Sequence, residues 1–299
     1  MTTRVVVGAN GALGSLLGKF LGAKAIDLRH PGECLDAAVP DIAAADVVIN
    51  ASGPRVRPGL GWNDYLREHV GTAGAVARAM RPGSHLVHIS SAAVWGAGRG
   101  NIGRGTSESP RSFPNPSYAW AKLSGELAAR AVCAERGVGL TVVRPTMVYG
   151  EGVSSAIDTM FSLAKRGVLV ELTPGEIKQH CLHVSLLHRA VEAIISRRMT
   201  SPEAVPLADP FIFTNRELYE AVARKHRGVR VPVSVRAADT LLRHWPMFPD
   251  RDGPGALAAF ACLALDNQLE WRGAFEALAL DPADFGKDRT LTPYWSRAA

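Results

Sequence analysis

Arg4-Val-Val-Val7-Gly8-Ala-Asn-Gly11-Ala-Leu-Gly14 is the stretch on which the fold turns. Its valines make a short apolar run of the kind found in strands buried on both faces. Gly8, Gly11 and Gly14 fall in a GxxGxxG pattern, and Leu13, Leu16, Leu17, Phe20 and Leu21 then recur at helical spacing. Strand, glycine turn and helix in direct succession bring backbone N–H groups and a helix N-terminus to one point, where a pyrophosphate binds. Asn10, Ala12 and Leu13 share the turn and are candidates for the same contact. The next run, Ala25-Ile-Asp27-Leu28, predicts a second strand whose acid stands 19 residues after Gly8. A carboxylate there reaches both hydroxyls of an adenosine ribose. Arg29 follows and offers the opposite preference, pairing with a ribose 2′-phosphate. NAD is therefore the expected dinucleotide, with NADP tolerated. Asp36, in the stretch that follows, is a candidate contact to the adenine.

Outward from the motif, Asp46-Val-Val-Ile-Asn50-Ala51-Ser52-Gly53 predicts a strand ending in small residues. Ala51, Ser52 and Gly53 would let the backbone approach a cofactor closely. His85-Leu-Val-His-Ile89-Ser90-Ser91 is a further apolar run, ending in two hydroxyls. A serine at the carboxyl end of a central strand points into the crevice where open α/β sheets bind ligands. No GxSxG elbow surrounds it, so a nucleophilic role is not expected. Tyr118-Ala-Trp-Ala-Lys122 comes 27 residues after Ser91. A phenol has an ordinary pKa of about 10; a lysine one helical turn away favours its ionised form. Tyr118 then becomes a general acid or base for a substrate oxygen, with Ser91 holding that oxygen.

These pieces together resemble the extended short-chain dehydrogenases/reductases, also called the NAD-dependent epimerase/dehydratase family. The resemblance rests on Gly8 to Gly14, Asp27, Asn50-Ala-Ser-Gly53, Ser90-Ser91-Ala-Ala-Val-Trp95-Gly96, Tyr118 to Lys122 and Arg144-Pro145-Thr-Met-Val-Tyr149-Gly150. Leu182-His183-Val184 and Asp266-Asn-Gln-Leu-Glu-Trp271 fit it more loosely. It implies a doubly wound parallel α/β sheet of Rossmann type with a smaller C-terminal substrate lobe. It also implies catalytic Ser91, Tyr118 and Lys122, with Lys122 on the nicotinamide ribose and Pro145 and Val148 walling the nicotinamide. By resemblance the substrate is a nucleotide-linked sugar that is reduced, epimerised or dehydrated. The short second half of the cofactor lobe favours the dTDP-4-keto-sugar reductases. A ketoreductase acting on a non-sugar metabolite is the alternative. A cofactor-sensing regulator is disfavoured, because such proteins lose the tyrosine or the lysine.

Several positions depart from the family's pattern. Glu68 or His69 stands where an asparagine is usual, and Trp95 replaces a tyrosine in the crevice wall. Gln179, flanked by Lys178 and His180, stands where nucleotide-sugar members often carry an arginine for the diphosphate. Ser185 replaces a common aspartate. Lys178 and Arg251 are the candidates for an anion grip, and Met160 and Phe161 for an apolar part of the pocket or for helix packing. Family members dimerise through two helices, here roughly residues 62–80 and 117–135, and a homodimer is expected.

Composition agrees. The 299 residues include 47% hydrophobic and 21% charged side chains, values of a globular protein. A net charge of +6 is spread along the chain, which suits an anionic small molecule rather than nucleic acid. No apolar run is long enough to span a bilayer and no signal-peptide pattern precedes the first strand, so cytoplasm is expected and no membrane partner. Cys34, Cys133, Cys181 and Cys262 lack metal spacing, and no HExxH motif occurs, so no metal is expected. Alternating strands and helices assign residues 1–150 to a dinucleotide domain, rejoined by 178–198. Residues 151–177 and 199–299 are assigned to the substrate lobe, with helices expected near 156–166, 215–223 and 237–242 and a strand at 168–172. The glycine- and proline-rich segment from Gly96 to Pro116 would border the site.

Overall fold

A computed structural model of the chain describes residues 2–27, 31–55, 60–96, 99–102, 116–153, 155–237, 240, 263 and 267–285, with 31–37 and 99–102 described through their backbone alone. The opening motif folds as read: β1 (Arg4–Val7), a glycine turn, α1 (Ala12–Leu21) and β2 (Lys24–Ile26). Next come α2 (Pro31–Ala44) and β3 (Val47–Asn50). Helix α3 (Trp62–Leu66) runs through a π-helical turn, Arg67–Gly71, into α4 (Thr72–Ala79). Strand β4 (His85–Ile89) leads to a 3-10 turn, Ala92–Trp95, and then to β5 (Arg99–Ile102). The long helix α5 (Pro116–Arg136) precedes β6 (Gly139–Pro145) and β7 (Met147–Tyr149).

The second half contains α6 (Ala156–Ala164), β8 (Val168–Thr173), β9 (Lys178–Gln179), β10 (Cys181–His183) and α7 (Val184–Arg197). It continues with β11 (Val205–Leu207), β12 (Phe213–Thr214), α8 (Asn215–Ala223) and β13 (Val229–Ser234). Strand β14 (Asn267–Leu269) and α9 (Arg272–Leu278) complete the described elements.

Six strands form one parallel sheet in the order β11-β6-β4-β3-β1-β2. The chain leaves β1 for β2 on one side and returns to β3 on the other. The point of reversal therefore lies at the carboxyl ends of β1 and β3, where such sheets open a ligand crevice. Strand periodicity builds both layers: Val5 and Val7 pack with Ile42 of α2, Val76 of α4 and Met80 just after it, while Val6 packs on the opposite face with Leu17 of α1 and Leu187 of α7. Each such fully buried aliphatic side chain contributes roughly 2 kcal/mol. A second apolar cluster joins Ile157, Met160 and Phe161 of α6 with Leu172 of β8 and Leu218 and Val222 of α8. Met160 and Phe161 are thus core residues of that cluster.

The expected helices near 156–166 and 215–223 and the strand at 168–172 are present as α6, α8 and β8. Among the described residues after Pro202, the chain also contains strands that its prolines and short periodic stretches do not suggest. Val205 and Leu207 pair in parallel with β6 and complete the main sheet. The lobe boundary at 199 therefore does not hold there, and Phe275 and Leu278 of α9 also join the main core. Pro206 hid β11 from a strand reading, yet a proline is tolerated on an edge strand. Residues 237–242 lie largely outside the described residues. Among the described residues no helix is long and apolar enough to cross a membrane. Trp62, Trp120 and Leu127 are exposed at 43%, 36% and 59%, which leaves apolar surface on α3 and α5.

Candidate active site

The turn after β1 is tied to β2 by backbone hydrogen bonds. The N–H groups of Gly8 and Ala9 both donate to the Ile26 carbonyl, at 3.0 and 3.1 Å. Gly8 has φ +85°, and a Cβ on it would lie 2.7 Å from Ser52 Cα. A Cβ on Gly14 would lie 2.1 Å from the Gly8 carbonyl oxygen. Glycine at these positions lets α1 and the end of β3 close on the turn. No side chain caps α1, and no acid stands in its first turn. This cradle fits the phosphates of a dinucleotide. Asn10 donates from Nδ2 to Asp27 Oδ2, so the amide of the turn fixes the carboxylate that follows β2. Asn50, buried at the end of β3, accepts from the Ser52 N–H at 3.1 Å and the Ser52 hydroxyl at 2.5 Å. This shapes the Ala51–Gly53 backbone beside Gly8.

Tyr118 and Lys122 share one face of α5. Lys122 Nζ lies 5.9 Å from the Tyr118 ring centroid and donates to the Ile89 carbonyl at 3.1 Å. Lys122 is buried and Tyr118 half-exposed. The π-helical turn sends Glu68 and His69 to different sides. Glu68 turns outward to Arg67, whose Nε donates to it at 3.3 Å. His69 turns inward, stacking parallel to Tyr65 at 6.1 Å and meeting Tyr118 edge-on at 5.6 Å between centroids. Its Nδ1 lies where a Cβ on Gly53 (φ +101°) would be only 2.2 Å away. Its Nε2 donates to the Pro54 carbonyl at 3.1 Å, which fixes the tautomer, since a carbonyl only accepts. π-Helical turns occur frequently at functional sites, and this one brings an imidazole between the Ala51–Pro54 segment and Tyr118.

The two serines at the end of β4 have different surroundings. Ser90 is buried, and its hydroxyl donates to Glu126 Oε1. Ser91 is half-exposed, and its Oγ accepts the Ala93 N–H at 3.2 Å, capping the 3-10 turn. Its own hydroxyl proton is not used in that bond. Glu126, one turn beyond Lys122, receives Arg144 Nε at 2.9 Å and a terminal Arg144 nitrogen at 2.7 Å. The Arg144 guanidinium lies 4.5 Å from the Trp95 ring centroid. Trp95 is buried in a cluster with Ala92, Ala208 and Leu269.

Burial dominates the electrostatics. It pushes Lys122 down to about 8, opposed by the Glu126 carboxylate. Burial, reinforced by the Lys122 and His88 charges, pushes His69 down to about 2. His88, whose Nε2 has no hydrogen-bond partner among the described residues, falls to about 3 by burial, then by Lys122 and Arg130. Both imidazoles are neutral, and among these groups Lys122 is the cation beside Tyr118. Away from this cluster, burial raises Asp209 to about 7 although it accepts the Tyr149 hydroxyl at 2.8 Å and the His183 N–H at 2.9 Å.

Gly8, Gly11, Gly14, Ala51, Ser52 and Gly53 gather at one mouth of the sheet, and Pro145 and Val148 are buried near the ends of β6 and β7. Lys178 is exposed on β9, in the strand pair with β12. Gln179 is buried, and its amide donates to the Leu263 carbonyl at 3.0 Å. Arg29, Arg251 and the side chain of Asp36 lie outside the described residues. Of the segment from Gly96 to Pro116, residues 99–102 form β5, which pairs in parallel with β14. Sequence reasoning did not single out Glu126, His88 or Asp209. Glu126 left a signal, an acid eight residues after Tyr118 on its face of the helix; His88 and Asp209 left none.

The profile of the NAD dependent epimerase/dehydratase family matches residues 5–207, more than half of the chain. The chain belongs to that family. The uncharacterized protein y4nG of Sinorhizobium fredii is 27% identical over 195 residues, which cover 58% of this chain. They cover 48% of the relative, so the match spans about half of its length. MoeE5, solved with UDP-glucuronic acid and NAD, superposes with a TM-score of 0.72 over 99% of each chain at 20% identity. UDP-glucuronic acid 4-epimerase from Bacillus cereus, also solved with UDP-glucuronic acid and NAD, gives 0.74 at 14% identity over 99% of this chain and 98% of that one. dTDP-4-dehydrorhamnose reductase from Bacillus anthracis, solved with NADP, gives 0.63 at 18% identity over 78% and 85%. At these identities the likeness is one of fold.

Proposed function

We propose that the chain is an NAD-dependent enzyme that oxidises or reduces a secondary alcohol or ketone on a nucleotide-linked sugar. In this reading Tyr118 is the proton-transfer group, Lys122 supports its ionised form, and Ser91 holds the reacting oxygen. The observation that carries it is the placement of Lys122, buried, anchored on the Ile89 carbonyl and 5.9 Å from the Tyr118 ring centroid. When bound, NAD supplies the hydride acceptor at the substrate carbon and the donor in the reverse direction. As the alcohol is oxidised, the phenolate of Tyr118 takes the hydroxyl proton, and the Ser91 hydroxyl donates to the same oxygen. The Gly8–Gly14 turn holds the phosphates and Asp27, fixed by Asn10, the adenosine ribose.

The substrate class is supported by the family and by neighbours solved with UDP-glucuronic acid that span nearly the whole chain. Whether the sugar is reduced, epimerised or dehydrated belongs to the same proposal. The second reading is a ketone without a nucleotide diphosphate. It is favoured by Gln179, which is committed to the Leu263 carbonyl rather than presented to an anion. We assign substrate choice to the cluster of α6, β8, α8 and β13, and a homodimer to the exposed apolar residues of α3 and α5.

The test is incubation of the protein and NAD with a panel of UDP- and dTDP-hexoses, products being followed by NMR of the sugar ring. Turnover of one of them, abolished in Tyr118→Phe while NAD affinity stays near the parent value, is the expected result. Undiminished turnover by Tyr118→Phe would sink the mechanism. Turnover of simple ketones alone would favour the second reading.

A further inference from the structure

We propose that Glu126 is a positioning residue for the Tyr118–Lys122 pair, acting through a closed ring of buried contacts that includes Arg144, Trp95 and Ser90. The inference rests on the proton-transfer role given above to Tyr118. Tyr118, Lys122 and Glu126 recur at four-residue spacing and so lie along one face of α5. Glu126 is 1% exposed and Arg144 4%, and the guanidinium grips the carboxylate with two nitrogens. From this pair the contacts run two ways. Glu126 accepts the Ser90 hydroxyl at the end of β4, while Arg144 lies over Trp95, the last residue of the 3-10 turn capped by Ser91. Ser90 and Trp95 are joined through Ser91 by the chain itself, which closes the ring. The Ile89 carbonyl, one residue before Ser90, is the acceptor for Lys122 Nζ. The segment that presents Ser91 is therefore held on one side by Lys122 and on the other by the Glu126–Arg144 pair.

Removing one partner of a buried ion pair is costly, because the other charge remains without compensation. This pair has a further consequence. The groups facing Lys122 are Tyr118 and Glu126 on its own helix, His69 on the π turn and His88 on β4, and the two histidines are neutral. Glu126 is thus the one anion that offsets the burial of the ammonium among these groups. Without it no anion among these groups offsets the burial of Lys122, and the Arg144 guanidinium remains close by as a second cation. A guanidinium does not give up its proton in a protein, so Lys122 becomes neutral instead. Tyr118 then loses the cation that favours its phenolate.

The experiment is an ultraviolet titration of tyrosinate in the NAD-loaded protein, taking Tyr118→Phe in each background as the blank. It reads Tyr118 alone and requires no substrate. Glu126→Gln is expected to raise the Tyr118 titration by about one pH unit, and Glu126→Asp, which keeps the anion, to restore most of the shift. Ser90→Ala removes one hydroxyl from the carboxylate and leaves the fold alone. It keeps the anion but loosens the joint between β4 and α5, and is expected to raise the titration by a fraction of the Glu126→Gln shift. That variant decides the matter should Glu126→Gln not fold. A Tyr118 titration unmoved in Ser90→Ala and in folded Glu126→Gln would overturn the role of Glu126. A parent protein whose Tyr118 titrates at the ordinary value of about 10 would instead overturn the proton-transfer reading on which it rests.

Discussion

Gly14→Ala isolates the phosphate-binding turn, because Gly14 is needed for proximity rather than for an unusual backbone angle. The added Cβ would stand 2.1 Å from the Gly8 carbonyl oxygen and 2.7 Å from its carbon. A carbon–oxygen contact settles near about 3.3 Å, so α1 must withdraw from the turn by about 1 Å. Overpacking of this kind costs about 1–3 kcal/mol, and a domain of this size melts only some degrees lower for that cost. Binding suffers more specifically. The first-turn N–H groups of α1 retreat from the phosphate, and losing one charge-assisted hydrogen bond costs about 1.5–3 kcal/mol. NAD affinity should therefore fall roughly 10- to 100-fold, measured by titration calorimetry, in a protein that still melts cooperatively by circular dichroism. A Gly14→Ala protein binding NAD as tightly as the parent would refute the placement of the phosphates on this turn.

Asp27→Ala should weaken NAD and improve NADP relative to it, since the carboxylate favours ribose hydroxyls and repels a 2′-phosphate; a parent protein that already binds NADP far more tightly than NAD would show that Asp27 does not set the choice. Stability should rise with pH between about 4 and 6.5. His69, His85, His88 and His183 are depressed by burial to about 2, 4, 3 and 4, so the unfolded chain takes up protons there that the folded one refuses. Asp209, raised to about 7 by burial, works in the opposite sense as one group against four. The urea midpoint should thus be lower at about pH 5 than at about pH 7, and equal midpoints would contradict the neutral burial of these rings. Leu127→Glu, at a side chain 59% exposed on α5, should leave the fold intact and turn a dimer into a monomer in sedimentation velocity; a parent protein monomeric at micromolar concentration would remove the basis for this.

Much of the framework was legible because it is written in local patterns. A run of valines, glycines three residues apart and leucines at helical spacing specify strand, turn and helix without reference to the rest of the chain. Tyr118 and Lys122 were legible for the same reason, since four residues on a helix always bring two side chains to one face. Strand β11 was not, because Val205-Pro206-Leu207 is too short to show a period and contains a proline. Only its pairing with β6 makes it a strand. Nor did the sequence choose between Glu68 and His69, which are adjacent and both polar. The π turn directs His69 inward, into the space left by Gly53, and Glu68 toward Arg67.

What the sequence by itself determined is the order of elements, the parallel sheet and the identity of the groups at its mouth, all set by short-range periodicity and backbone sterics. What only the tertiary structure decided is the electrical setting of those groups. Lys122 owes its pKa to burial and to Glu126, Glu126 is held by Arg144 from strand β6, and His69 stays neutral because it is enclosed. Desolvation and charge pairing depend on distances between residues far apart in the chain, and no local pattern records them.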